Sequence, residues 1–159
     1  MTCTDQVARL ARGDLRGWLG IPPDCTRTAV DTVLTPTAAG TAGARESSSG
    51  PLSYEPTAGA PHGMTVHYSA GQVEYVVVAV PELSPPVQEA LGPPELQLPS
   101  YLEGAAEQWA YPGLGLSCHV AADGRPNWLY AFGPTTVPGY LEGSLSQVRT
   151  LRHTRRVRP

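Results

Sequence analysis

The chain contains no lysine; all 11 of its basic residues are arginine. Schiff-base catalysis, pyridoxal-phosphate attachment and a Walker A loop each need an ε-amine, so those chemistries are excluded. Arginine in place of lysine throughout fits a bacterial-like, GC-rich coding sequence. Apolar runs are short. The longest, Tyr75 to Val80, has six residues, well below the roughly 20 that cross a bilayer as a helix. The opening MTCTDQVARLARGD lacks the apolar stretch of a signal peptide, and the expectation is a cytoplasmic protein with no membrane partner. Cysteine is scarce and odd in number: Cys3, Cys25 and Cys118 read as reduced thiols rather than as a disulfide framework. No CxxC, HExxH or His-x-His spacing offers a metal site. Gly113-Leu114-Gly115-Leu116-Ser117-Cys118 lacks the third glycine and following helix of a dinucleotide fingerprint, and no Gly-x-Ser-x-Gly elbow occurs. No cofactor or metal is expected.

What is present begins with turn formers: 17 Gly and 17 Pro among 159 residues, with 41% apolar residues. That is one domain, or two small repeats sharing a core. Charge is unevenly spread. Arg149, Arg152, Arg155, Arg156 and Arg158 stand near the C-terminus without an acid among them, while the rest of the chain sets six arginines against 14 acids. An acidic body with a basic end is a handle for an anionic partner, nucleic acid being the less favoured one. A solvated terminus is the plain alternative.

Two stretches echo each other. Leu19-Gly20-Ile21-Pro22 and Leu91-Gly92-Pro93-Pro94 lie 72 residues apart, and Gly63-Met64-Thr65-Val66-His67 and Gly115-Leu116-Ser117-Cys118-His119 lie 52 apart. In each place a helix end is followed by a connection and a hairpin. The extra 20 residues of the first copy fall mostly in Pro36 to Pro51, which has little to bury and reads as a loop. A first helix capped by Thr4 or Asp5 carries Val7, Leu10, Ala11, Leu15, Trp18 and Leu19 at helical spacing, either unbroken or as two pieces meeting at Gly13. Thr28 to Leu34 reads weakly as a strand. Leu52–Glu55, Met64–Ser69 and Val73–Val80 follow as strands, then a helix from Ser84 to Leu91. Gln108–Tyr111, Gly115–Ala121 and Arg125–Phe132 form the second set, with Asp123-Gly124 as a hairpin turn. A last helix capped by Thr135 or Thr136 carries Tyr140, Leu141, Leu145, Val148 and Leu151. The expectation is an α+β fold of two tandem α-βββ units with antiparallel sheet and a C-terminal helix. The units span residues 1–82, with an insertion at 36–51, and 83–134; residues 135–159 supply the helix and basic tail.

Adjacent side chains on a strand point to opposite faces, so Cys118 and His119 cannot form a dyad, and Cys118 reads as a small core residue. A two-residue turn sets His67 across from Glu74. If Asp123-Gly124 is likewise a two-residue turn, His119 faces Trp128 and Ser117 faces Tyr130 on an outer surface of protein-binding composition. A three-residue turn instead sends Trp128 to the core with Cys118. His67 and His119 read as half-exposed imidazoles on outer faces, with a pair of metal ligands as the alternative. Trp18 and Trp109 read as core.

The helix ending in Leu-Gly-x-Pro and followed by a β-hairpin, given twice over Gly13–Pro23, Leu91–Pro94 and the two hairpins, resembles the tandem unit of the β-lactamase-inhibitor-protein family. It is also similar to the single unit of SmpA/OmlA-type envelope lipoproteins. The resemblance covers about half of the chain, which departs from both families in having no lipobox and no expected cystine. What it implies is a scaffold that offers a sheet face to another protein. The expectation is therefore a non-catalytic, intracellular protein-binding module, an adaptor or immunity-type protein. It would contact its partner through His119, Trp128, Tyr130, His67 and Glu74. The rival is a small-ligand protein or enzyme with a cleft between the units, using His67, His119, Glu74 or Glu107. Neither partner identity nor oligomeric state is legible.

Overall fold

The computed structural model describes residues 2–37, 49–79, 91–124 and 126–147, together with Glu89. Seven strands form one antiparallel sheet: β1 (Gly50–Tyr54), β2 (Met64–Ser69), β3 (Gln72–Ala79), β4 (Leu96–Pro99), β5 (Glu107–Tyr111), β6 (Leu116–Val120) and β7 (Pro126–Phe132). Their order is β1-β2-β3-β7-β6-β5-β4. Two meanders, β1-β2-β3 and β4-β5-β6-β7, thus meet where β3 pairs with β7. The helices are α1 (Cys3–Arg12), α2 (Arg27–Asp31) and α3 (Val137–Glu142). The fold is α+β.

The first helix starts earlier and stops sooner than its spacing predicts. Thr2, rather than Thr4 or Asp5, is the cap: its hydroxyl accepts from Asp5 N–H, and Asp5 returns a bond to Thr2 N–H, completing a capping box. Gly13 ends the helix at φ 71°, in the left-handed region that costs glycine least. Leu15, Trp18 and Ile21 remain in the core through irregular chain, whereas Leu19, expected as a core residue, is 56% exposed. Of the segment read as a strand, Thr28 to Leu34, the residues up to Asp31 belong instead to the short helix α2 and Thr32 to Leu34 turn out of it. Thr26 accepts from Ala29 N–H at its start, and Arg27 and Asp31 pair four residues apart at 3.5 Å.

The three strands expected in each half are present within a residue or two. Strand β4 was not foreseen, because Leu96-Gln97-Leu98-Pro99 is short and ends in proline, which only an edge strand tolerates. Pro36 bridges to Tyr54, so the first end of the expected insertion lies against the sheet, and its last residues, Gly50 and Pro51, already belong to β1. Its middle lies outside the described residues. So do most of the helix expected to end at Leu91 and the basic tail with Arg149, Arg152, Arg155, Arg156 and Arg158. The last helix stops at Gly143, and of its expected stripe Val148 and Leu151 lie outside the described residues.

Alternation along the strands assigns the two faces. Val7 and Leu10 of α1, Trp18, Ile21 and Val30 pack against Leu52, Met64, Val66, Val76, Val78, Leu116, Cys118 and Leu129 in one continuous core. Each such side chain contributes about 1.5–3 kcal/mol on burial. On the opposite face Ala110, Phe132 and Tyr140 form a smaller cluster with Leu96, Leu98, Tyr130 and Leu145, beneath α3. Glycine permits the closest approach between α1 and the chain entering β2. A Cβ on Gly59 would lie 2.1 Å from Gly13 N and 2.4 Å from Leu10 O.

The cysteines correct the sequence reading. Cys3 and Cys25 are joined in a disulfide with Cα atoms 5.0 Å apart, while Cys118 is a buried free thiol. Spacing in the chain carries no sign of this pairing, since the return from α1 to the start of α2 is irregular. Among the described residues no helix is long and apolar enough to cross a membrane.

Candidate functional site

The second face of the sheet carries the side chains singled out in the sequence. In the β6–β7 hairpin His119 lies across from Trp128, Ser117 across from Tyr130 and Cys118 across from Leu129. Trp128 and Tyr130 therefore stand on the face opposite Cys118, the register expected of a two-residue turn, although the turn itself is not one: Val120 pairs with Pro126, where a two-residue turn would pair it with Asn127. A bulge between His119 and Val120 takes up one residue near the turn.

In the β2–β3 hairpin the register differs from expectation. The turn at Ala70-Gly71 sets Ser69 opposite Gln72, but a bulge between His67 and Tyr68 then skips Glu74, and His67 pairs with Tyr75. Their rings stack at 4.3 Å and 14°. Tyr75 continues to Tyr130 at 6.1 Å, Tyr130 to His119 at 5.3 Å, and His119 to Tyr101 at 4.9 Å edge-on. A ladder of five rings thus crosses the sheet from β2 through β3 and β7 to β6. It links His67, Tyr130 and His119, and Trp128 stands beside it on β7.

The ends of the ladder have opposite character. His119 is 0% exposed, which corrects its reading as a half-exposed surface imidazole. The connection between β4 and β5 folds over it: Ser100 Oγ lies 2.9 Å from His119 Nδ1 and also accepts from Leu102 N–H at 3.0 Å. The other ring nitrogen, Nε2, has no hydrogen-bond partner among the described residues. Burial lowers the His119 pKa to about 4. Ser100 and His119 have the separation of a nucleophile and its base, but such a pair needs a third group to orient the ring. What the contact achieves here is to clamp Ser100–Leu102 onto β6. Tyr101 extends the clamp by donating its phenol O–H to Leu145 O at 2.7 Å.

Gln108, buried on the same face, ties three segments together. Its amide donates to Pro99 O at 3.2 Å and Ser146 O at 3.0 Å, and its Oε1 accepts from Tyr140 O–H at 2.7 Å. The β4–β5–β6 half of the face is thereby closed.

The β2–β3–β7 half is open. His67, Tyr75, Val77 and Tyr130 retain partial exposure, and Trp128 is 36% exposed. Trp128 and Leu19 are the exposed large apolar side chains among the described residues, and Leu19 lies in the chain after α1. Partial burial lowers the pKa of His67, opposed by the Glu74 carboxylate, and raises those of Tyr75 and Tyr130. Glu74, displaced by the bulge, lies at the mouth of a cleft of about 190 Å³ between β3 and α3, with Tyr75, Phe132, Tyr140, Ser144 and Leu145 among its lining. Phe132 and Tyr140 stack in its wall at 5.6 Å.

Sequence reasoning thus found Trp128, Tyr130, His67 and Glu74 near one another but missed Tyr75, the ring that joins them. It was read as the start of an apolar run; the signal lay in its polar tip and in β-strand alternation with buried Val76. No group of three or more metal-ligating side chains occurs among the described residues.

Fold and face define a two-sided sheet with α1 and α2 on one side and, on the other, α3 beside a half-open aromatic surface. Comparison with known proteins finds no matching family model, no matching curated protein and no matching solved structure.

Proposed function

We propose that this protein is a non-catalytic protein-binding module that captures its partner on the open half of the second sheet face, through His67, Tyr75, Val77, Trp128 and Tyr130. The observation that carries this reading is the contiguous, half-exposed aromatic strip over β2, β3 and β7. Monomeric proteins seldom leave such apolar surface open without an interaction to serve. Tyrosine and tryptophan are the residues that most often anchor interfaces, because they offer large rigid area with a polar tip. His119 has no part in contact on this reading; from beneath, its ring supports Tyr130.

The compartment follows the redox state. In a reducing cytoplasm Cys3 and Cys25 persist as a thiol pair, and in an oxidising compartment as the cystine. Cytoplasmic residence is retained as the reading, with alkylation and mass measurement of protein taken from its native cell as the check.

The test of function is affinity capture with wild type and with Trp128→Ala/Tyr130→Ala, each confirmed as folded by circular dichroism. The expected result is a partner retained by wild type and lost by the double variant. Retention of the same partner by the folded double variant would remove the face from consideration.

A further inference from the structure

The cleft at the edge of the aromatic strip combines a carboxylate with three aromatic rings. Phe132 forms its floor, 5% exposed, and Tyr140 its wall, 3% exposed. Tyr75 stands on the neighbouring strand directly across from Phe132. Among the described residues that line it, Glu74 is the only one with a formal charge, and no arginine or histidine is present. That charge reaches the strip itself, since the Glu74 carboxylate opposes the lowering of the His67 pKa by burial and adds to the raising of the Tyr75 pKa by burial. Negative potential at the mouth and electron-rich ring faces within is the arrangement that attracts an organic cation. A guanidinium or ammonium over an aromatic face is drawn to its quadrupole within about 6 Å, and a carboxylate at the rim adds a direct partner. The size agrees. At about 190 Å³ the cleft is smaller than the roughly 300–1,000 Å³ that hold drug-sized ligands, and it suits one head group with its aliphatic stem.

We propose that this cleft seats the cationic head of an arginine or lysine side chain belonging to the protein that docks on the aromatic strip. The inference rests on the protein-binding reading and specifies the partner's chemistry: a basic residue at the edge of an otherwise apolar contact. A partner seated over Tyr75 and Tyr130 reaches the cleft without leaving β3, because Tyr75 belongs to both surfaces. The basic side chain lies over Tyr75, the partly exposed ring of the three, with its charge turned toward Glu74. Apolar anchors on the strip then supply area, and the cation fixes register and direction.

The test titrates the full chain with N-acetylarginine amide and, separately, with N-acetylnorleucine amide, followed by NMR of the aromatic resonances. The expected result is weak, saturable binding of the arginine amide alone, with shifts at Tyr75, Phe132 and Tyr140, weakened about fivefold in Glu74→Gln. Equal binding of the norleucine amide, shifts confined to other residues, or unchanged affinity in Glu74→Gln would each overturn it. The two readings fail separately. Loss of partner capture in Trp128→Ala/Tyr130→Ala with no arginine-amide binding at the cleft leaves the docking face standing and removes the cation site. Capture that persists in that double variant removes the docking face and, with it, the partner assigned to the cleft.

Discussion

Opening the Cys3–Cys25 bond is expected to loosen the first helix and lower the stability of the whole domain. The two cysteines are 22 residues apart in sequence, and the loop-closure entropy that such a cross-link removes from the unfolded chain is worth about 3 kcal/mol at 25 °C. For a domain of this size each kcal/mol moves Tm by roughly 2–4 °C, so Cys3→Ala/Cys25→Ala is expected to melt roughly 6–12 °C below the oxidised wild type. Without the bond, α1 is held by Val7 and Leu10 in the core and by the Gln6 amide donating to Gly20 O at 2.9 Å. The variant therefore unfolds earlier but still reaches the same fold. Thermal denaturation by circular dichroism, with and without reductant, measures the effect. For protein oxidised in air after purification, a thiol count in denaturant should give one reactive thiol, Cys118, before reduction and three after it. Three thiols in the air-oxidised protein, or a Tm that reductant leaves unchanged, would refute the reasoning.

Three further outcomes follow from the same geometry. Burial holds the folded-state pKa of His119 at about 4, against 6.5 in the unfolded chain. Between those values the unfolded chain binds the proton, so the contribution is complete above pH 6.5 and declines as pH falls toward 4, by up to about 3 kcal/mol. Urea midpoints across this range should fall with pH in wild type and flatten in His119→Phe; parallel curves would contradict the assignment. Gln108→Ala removes the acceptor of the buried Tyr140 O–H and is expected to cost about 1–3 kcal/mol, read as a lower urea midpoint, with no change expected if α3 is not docked through Gln108. Gly59→Ala places a Cβ 2.1 Å from Gly13 N, so it should destabilise by about 1–3 kcal/mol through overpacking, whereas Gly71→Ser, whose Cβ meets nothing within 4 Å, meets only the conformational cost of its positive φ.

Much of the sheet could be read from the chain, because period-two alternation and turn residues act locally. Met64–Ser69, with its alternating buried positions, needs no knowledge of the rest of the molecule. Tertiary decisions were harder to see. The bulge that moves His67 from Glu74 to Tyr75 depends on the backbone between His67 and Tyr68, and nothing in those two residues announces it. Thr28 to Leu34 has strand-like composition, but the Thr26 cap and the Arg27–Asp31 pair turn its residues up to Asp31 into a helix. His119 alternates correctly to the outer face, yet the face at that point is covered by Ser100–Leu102, a segment 17–19 residues earlier in sequence. Cys3 and Cys25 meet through an irregular path that no spacing encodes. The aromatic strip was half legible for the same reason. Its β7 members follow from one hairpin, whereas Tyr75 joins them only through the pairing of β3 with β7, the last strands of the two meanders.

The central claim is that the open half of the second face is where a partner sits. Covalent-labelling mass spectrometry of the free protein and of the captured complex tests it most directly, because it reads individual side chains. Trp128, Tyr130, Tyr75 and His67 are expected to become protected in the complex while Leu19, exposed after α1, labels equally in both. Protection of Leu19 and the α1 surface with unchanged labelling of Trp128 and Tyr130 would contradict it.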